Sequence, residues 1–86
     1  MTMEIDVTIK LKQGVADPEG ENTKKALNLL GFRTVHDVKM MKTFRLVIES
    51  HDEEKARIEV EEMCRKLLAN PVIHDYEISV VHAGDR

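Results

Sequence analysis

The chain has 86 residues, is 42% hydrophobic and 34% charged, and carries a formal net charge of −3. That length fits one domain over residues 1–86, short enough that association with other chains would help bury its apolar surface. The composition is too apolar for disorder, and the acidic balance argues against a nucleic-acid partner, which clustered Lys and Arg would serve.

Met3, Ile5, Val7, Ile9 and Leu11 alternate with Glu4, Asp6, Thr8, Lys10 and Lys12, the pattern of a strand with one buried and one wet face. Gly14 ends it. Asp17 is placed as an N-cap and Pro18 at the first helical position, with Glu19 and Glu21 at the positive end of the helix dipole. Thr23, Ala26, Leu27 and Leu30 keep helical spacing, and Gly31 closes the helix. A second strand is expected over residues 33–41, with a turn at Met41-Lys42. A third begins near Thr43, with Phe44, Leu46 and Ile48 on one face. Ser50 with Glu53 spells a capping box, with Asp52 as a rival cap.

Ala56, Val60, Met63, Cys64, Leu67 and Leu68 form the apolar stripe of a second helix. Glu61–Arg65 and Glu62–Lys66 are i,i+4 pairs on its exposed side. Asn70 can take the left-handed cap conformation, and Pro71 cannot continue a helix. Val72, Ile73, Tyr76 and Ile78 supply strand-forming side chains, so a fourth strand is expected over residues 74–81, with residues 82–86 frayed. The order β-α-β-β-α-β implies an α+β two-layer sandwich of ferredoxin-like type. Its antiparallel sheet would have four strands, with both helices on one face. A shift of 38 positions matches Leu29-Leu30 with Leu67-Leu68 and His36-Asp37 with His74-Asp75, which suggests two related halves.

No reactive centre emerges. His36-Asp37 and His74-Asp75 are adjacent pairs that point to opposite faces on a strand, whereas a metal needs three or four convergent ligands. Cys64 lies on an apolar stripe with no evident base, and as the sole cysteine it makes no intrachain disulfide and suits a reducing, cytoplasmic setting. The Gly14–Gly20 loop is neither a dinucleotide nor a Walker loop, and Asp17 and Glu19 would repel phosphate. An RNA-binding sheet would carry aromatics and basic groups on its open face. This one offers Glu4, Asp6, Thr8, Arg45, Val47 and Glu49. The N-terminus has no signal-peptide pattern, and no apolar run approaches the ~18 residues of a membrane span, so no membrane is expected. Met41, Val47 and Val81 fall on outward positions, which favours contact with another chain.

Three segments carry a family resemblance. They are Gly14-Val-Ala-Asp17-Pro18-Glu-Gly20, the helix end Ala26-Leu27-x-x-Leu30-Gly31-Phe32, and Cys64-x-x-Leu67-Leu68-Ala69-Asn70-Pro71-Val72-Ile73-x-Asp75-Tyr76. Together they resemble the PurS family, the small subunit of phosphoribosylformylglycinamidine synthase, along nearly the whole chain. The family commonly has Gly-Lys where this sequence has Met41-Lys42. The resemblance implies a non-catalytic subunit of a glutamine- and ATP-dependent ligase of purine synthesis. Such a subunit would bridge a glutaminase and a large synthetase subunit so that ammonia passes between them, and would self-associate as a homodimer or higher homo-oligomer. ATP and Mg would be used by the complex, with no cofactor bound by this chain. Partner-contact candidates are Gly14, Asp17, Pro18, Gly20, Asn70, Pro71, Asp75 and Tyr76. Two other readings share the expected fold class: a regulatory domain binding a small metabolite, and a small enzyme pairing His36 with Asp75.

Overall fold

The computed structural model describes the backbone of residues 2–84 and the side chains of residues 2–81. Strand β1 (Thr2–Leu11) is followed by helix α1 (Pro18–Leu29), strand β2 (Lys42–Glu49), helix α2 (Glu53–Met63), a π-helical turn (Cys64–Leu68) and strand β3 (His74–Gly84). The sheet has three strands in the order β2-β1-β3, both pairings antiparallel. The alternation in β1 decides its central place. Met3, Ile5, Val7 and Ile9 are all buried, Ile5 and Val7 completely. Phe44, Leu46 and Ile48 of β2 and Tyr76, Ile78 and Val80 of β3 flank them on the same face. A bulge in the β1–β3 ladder falls between Glu4 and Ile5, leaving Val81 unmatched as Ile5 pairs with Val80 and Glu4 with His82.

Helix α2 covers this face with Ala56 and Val60, and Cys64 of the π turn completes the seam. Its cap is Asp52, whose Oδ1 accepts from the N–H groups of Glu54 at 2.9 Å and Lys55 at 3.2 Å. Ser50 instead binds the backbone of Asp52 itself. The apolar stripe does not run through to Leu68 with α-helical phase. The Ala69 N–H reaches the Cys64 carbonyl at 2.9 Å, one residue further back than an α-helix uses. The wider turn leaves Leu67 83% exposed, while Leu68 is half-buried and Ala69 buried.

The four-stranded ferredoxin-like sandwich is not formed. Residues 35–41, most of the expected second strand, have no regular structure, and no hairpin forms at Met41-Lys42. Donors that a ladder needs are engaged elsewhere. The Met40 N–H donates to Asp17 Oδ2 at 2.9 Å and the Val38 N–H to Asp37 Oδ1 at 3.0 Å. The expectation of two helices on one face fails as well: α1 makes only marginal contact with any other element. It ends as expected at Gly31 (φ 101°), with the Phe32 N–H bonded to the Leu27 carbonyl at 3.0 Å. Leu29 (88%), Leu30 (74%) and Phe32 (57%) are nevertheless exposed.

Two smaller corrections concern the last third of the chain. Asn70 is not left-handed, since no described residue other than glycine has positive φ; its side chain accepts from the Val72 N–H at 3.0 Å instead. Strand β3 runs on to Gly84, past the expected fraying point at residue 82, because β1 still offers Thr2, Met3 and Glu4 as ladder partners. The result is a slab of 49 × 30 × 14 Å with a radius of gyration of 16.6 Å. A compact chain of this length would have about 12 Å.

Candidate partner-binding surface

The loop after β1 and the corner before β3 meet at one end of the slab. Leu11 pairs with His74, and the Lys12 N–H donates to the Ile73 carbonyl at 2.8 Å. All eight sequence-flagged positions lie near this end or on α1's first turn, in two groups. Asp17 and Pro18 line an apolar groove of ≈ 450 Å³ whose other walls include Ile9, Leu11, Met40, Met41 and Leu68. Gly14, at φ 88°, lies on an adjoining hollow with Lys39 and Met40. Pro71, Asp75 and Tyr76 line a second shallow concavity with Lys10, Lys12 and Glu77. His74 borders both this concavity and the apolar groove. Asn70 is exposed and shapes the corner through its backbone and amide.

Asp17 does more than cap a helix. Its Oδ1 accepts the Gly20 N–H at 2.9 Å, while Oδ2 reaches 23 residues onward to the Met40 N–H. These two bonds, Met40 first, hold its carboxyl below the ordinary carboxylate range. Gly20 is buried under the Val38 carbonyl, and a Cβ there would overlap that oxygen and sit 2.6 Å from Asp17 Oδ2. The first turn of α1 is thereby locked to residues 38–40, which carry Met40 and Met41 to the groove.

The wet sheet face is ordered by cross-strand pairs. Arg45 grips Asp6 with both Nε and Nη2, at 2.8 and 2.9 Å, and Lys10 meets Glu77 at 2.8 Å. Arg45 pulls the Asp6 carboxyl down and Lys10 does the same to Glu77, while each base is pushed up in return. Thr8 and Thr43 share a hydroxyl bond of 3.0 Å. Val47 and Val81 are exposed on this face and Met41 at the groove rim, as the sequence pattern suggests.

Among the described residues, no three His, Cys, Asp or Glu side chains converge where a metal could sit. Cys64 is wholly buried, and burial pushes its thiol up, away from the reactive thiolate. His36 and Asp37 lie on the exposed connection, where Asp37 bonds the Val38 N–H and pairs with Lys39 at 3.5 Å. The repeat that equates them with His74-Asp75 has no structural counterpart, since only the latter pair begins a strand. Leu29, Leu30, Phe32 and Met40 are exposed as well. The doublet Leu29-Leu30 carried a signal, because neighbours on a helix differ by about 100° and cannot share a narrow stripe.

The family model for PurS, phosphoribosylformylglycinamidine (FGAM) synthase, matches residues 4–82. The chain belongs to the PurS family. A PurS subunit from Methanocaldococcus jannaschii is 58% identical over 74 residues, covering 86% of this chain and 89% of that protein. One from Archaeoglobus fulgidus is 60% identical over 73 residues, covering 85% and 91%. The crystal structure of M. jannaschii PurS superposes with a TM-score of 0.85 at 52% identity, over 98% of this chain and 100% of that one. A chain in the structure of PurLQS from Thermotoga maritima gives 0.86 at 27% identity, over 94% and 99%. PurS is a subunit of FGAM synthase, a ligase of purine biosynthesis. Among the described residues, no helix is long and apolar enough to cross a membrane.

Proposed function

We propose that this chain is the non-catalytic small subunit of a cytoplasmic FGAM synthase. It bridges the glutaminase and synthetase subunits and supports transfer of ammonia between them. It works as a homodimer or higher homo-oligomer, and it binds no cofactor itself, the ATP and Mg of the reaction being held elsewhere in the complex. The observation that carries this reading is the unfinished surface: a 14 Å slab whose first helix stands off its own core with Leu29, Leu30 and Phe32 bare. Apolar side chains in that number, on a chain too thin to cover them, are met by other chains. The sequence-flagged residues Gly14, Asp17, Pro18, Gly20, Asn70, Pro71, Asp75 and Tyr76 shape the end of the slab offered to a partner. The experiment is reconstitution. Purified chain added to a glutaminase and a synthetase subunit should restore glutamine-dependent amidination, while ammonia-dependent activity of the synthetase should not need it. A full glutamine-dependent rate without the chain would refute the bridging role.

A further inference from the structure

The corner between the π turn and β3 is closed by a ring of hydrogen bonds. The Asn70 carbonyl accepts from the N–H groups of Ile73 at 3.0 Å and His74 at 2.8 Å. In return the Asn70 N–H donates to Nδ1 of the His74 ring at 2.9 Å. A ring nitrogen that accepts from an N–H must carry a lone pair, so His74 is neutral here with its proton on Nε2. An imidazolium is a donor at both nitrogens and cannot make this bond. We propose that His74 is a proton-operated latch on the Asn70–His74 corner, closed when the ring is neutral and released when it is protonated.

Uptake of one solvent proton at Nδ1 gives the ring a positive charge and leaves the Asn70 N–H facing another donor. His74 and Leu68, at either end of the corner, both line the apolar groove, so release alters that wall. The charged or titratable groups that share the two concavities with His74 are Lys10 and Lys12 at the end of β1, Asp75, Tyr76 and Glu77 of β3, and Asp17, Glu19 and Lys42 across the groove; the π turn contributes only Leu68 there. Lys10 and Glu77 pair with each other and Asp17 is bonded to Gly20 and Met40. The bond to Asn70 is the contact of the ring that distinguishes its two protonation states.

The test is ring and amide NMR of the intact chain, titrated from about pH 8 to about pH 5.5. The expected result is a His74 ring with the proton on Nε2 at the upper end and an Asn70 amide resonance that moves in step with the His74 titration. Asn70 amide protection against exchange should fall about fivefold, the worth of one net hydrogen bond, after correction for intrinsic exchange. In His74→Phe the Asn70 amide should show the unlatched exchange rate at every pH. A His74 ring protonated on Nδ1 at the upper end, or an Asn70 amide that follows no titration, overturns the proposal. So does an amide titrating equally in His74→Phe, which would trace it to another group. If that variant fails to fold, the ring tautomer and the Asn70 titration of the unaltered chain decide alone.

Discussion

Gly20→Ala tests the lock between α1 and residues 38–40 because two effects oppose each other. On helix propensity alone, alanine for glycine stabilises by up to about 1 kcal/mol. Against this, the added Cβ overlaps the Val38 carbonyl and crowds Asp17 Oδ2 at 2.6 Å and Cγ at 2.9 Å. The first obstacle is backbone and cannot rotate away, so α1 and the following segment must separate. Overpacking of this kind costs about 1–3 kcal/mol. The two effects leave a net loss of about 1 kcal/mol, which corresponds to a fall of roughly 4–8 °C in Tm for a chain of this size. The assay is thermal unfolding followed by circular dichroism at fixed protein concentration, since association shifts Tm. Gly14→Ala is the comparison: nothing lies within 4 Å of its Cβ, so it loses only the left-handed backbone freedom, at about 1–2 kcal/mol. A Gly20→Ala protein melting at or above the parent temperature would show that the close approach does not exist.

Asp17→Asn should lower stability at neutral pH and flatten its acid dependence. The Asp17 carboxyl sits below its unfolded value of about 3.9. Its contribution is therefore present above that value and lost as pH falls through the lower folded one. Between about pH 5 and pH 2.5 the parent should lose more of its Tm than the variant; equal losses would contradict the two-oxygen lock. Ile5→Ala, at a fully buried site in the central strand, should cost about 3 kcal/mol in urea unfolding, and a loss under 1 kcal/mol would mean that β1 is not the core. Leu29→Ser with Leu30→Ser should leave the isolated chain within about 0.5 kcal/mol of the parent, because both side chains are exposed. It should also weaken self-association or capture by the other subunits, read by sedimentation. No change in either would refute the assembly role of α1.

Local rules decided some of these elements and distant contacts decided the rest. The unbroken alternation of β1, the Asp17-Pro18 start of α1 and its stop at Gly31 are legible because each rests on residues within a few positions of one another. The expected strand over residues 33–41 failed on a contact that no window contains, the bond from Met40 to a carboxylate 23 residues earlier. The stripe through Leu67 failed because a single widened turn changes the phase of everything after it. Asn70 follows the helix as its chemistry implies, yet it is not left-handed, since its side chain and His74 meet the same backbone needs another way. The candidate contact positions lie in the loop and corner segments that carry the resemblance, and at Gly14, Asp17 and Asn70 backbone chemistry accounts for the residue by itself. Leu30 keeps helical spacing with Ala26 and Leu27 and so reads as interior, until the fold shows nothing lying against it.

The central position of β1 has a consequence for how the chain is made. Strand β1 finds its two neighbours only at residues 42–49 and 74–84. Strand β2 and helix α2 precede β3 in the chain, but the ladder between β1 and β3 cannot form until residues 74–84 have been made. A nascent molecule arrested before His74 would display a bare ladder edge to any other strand in reach, the circumstance in which aggregation competes best with folding.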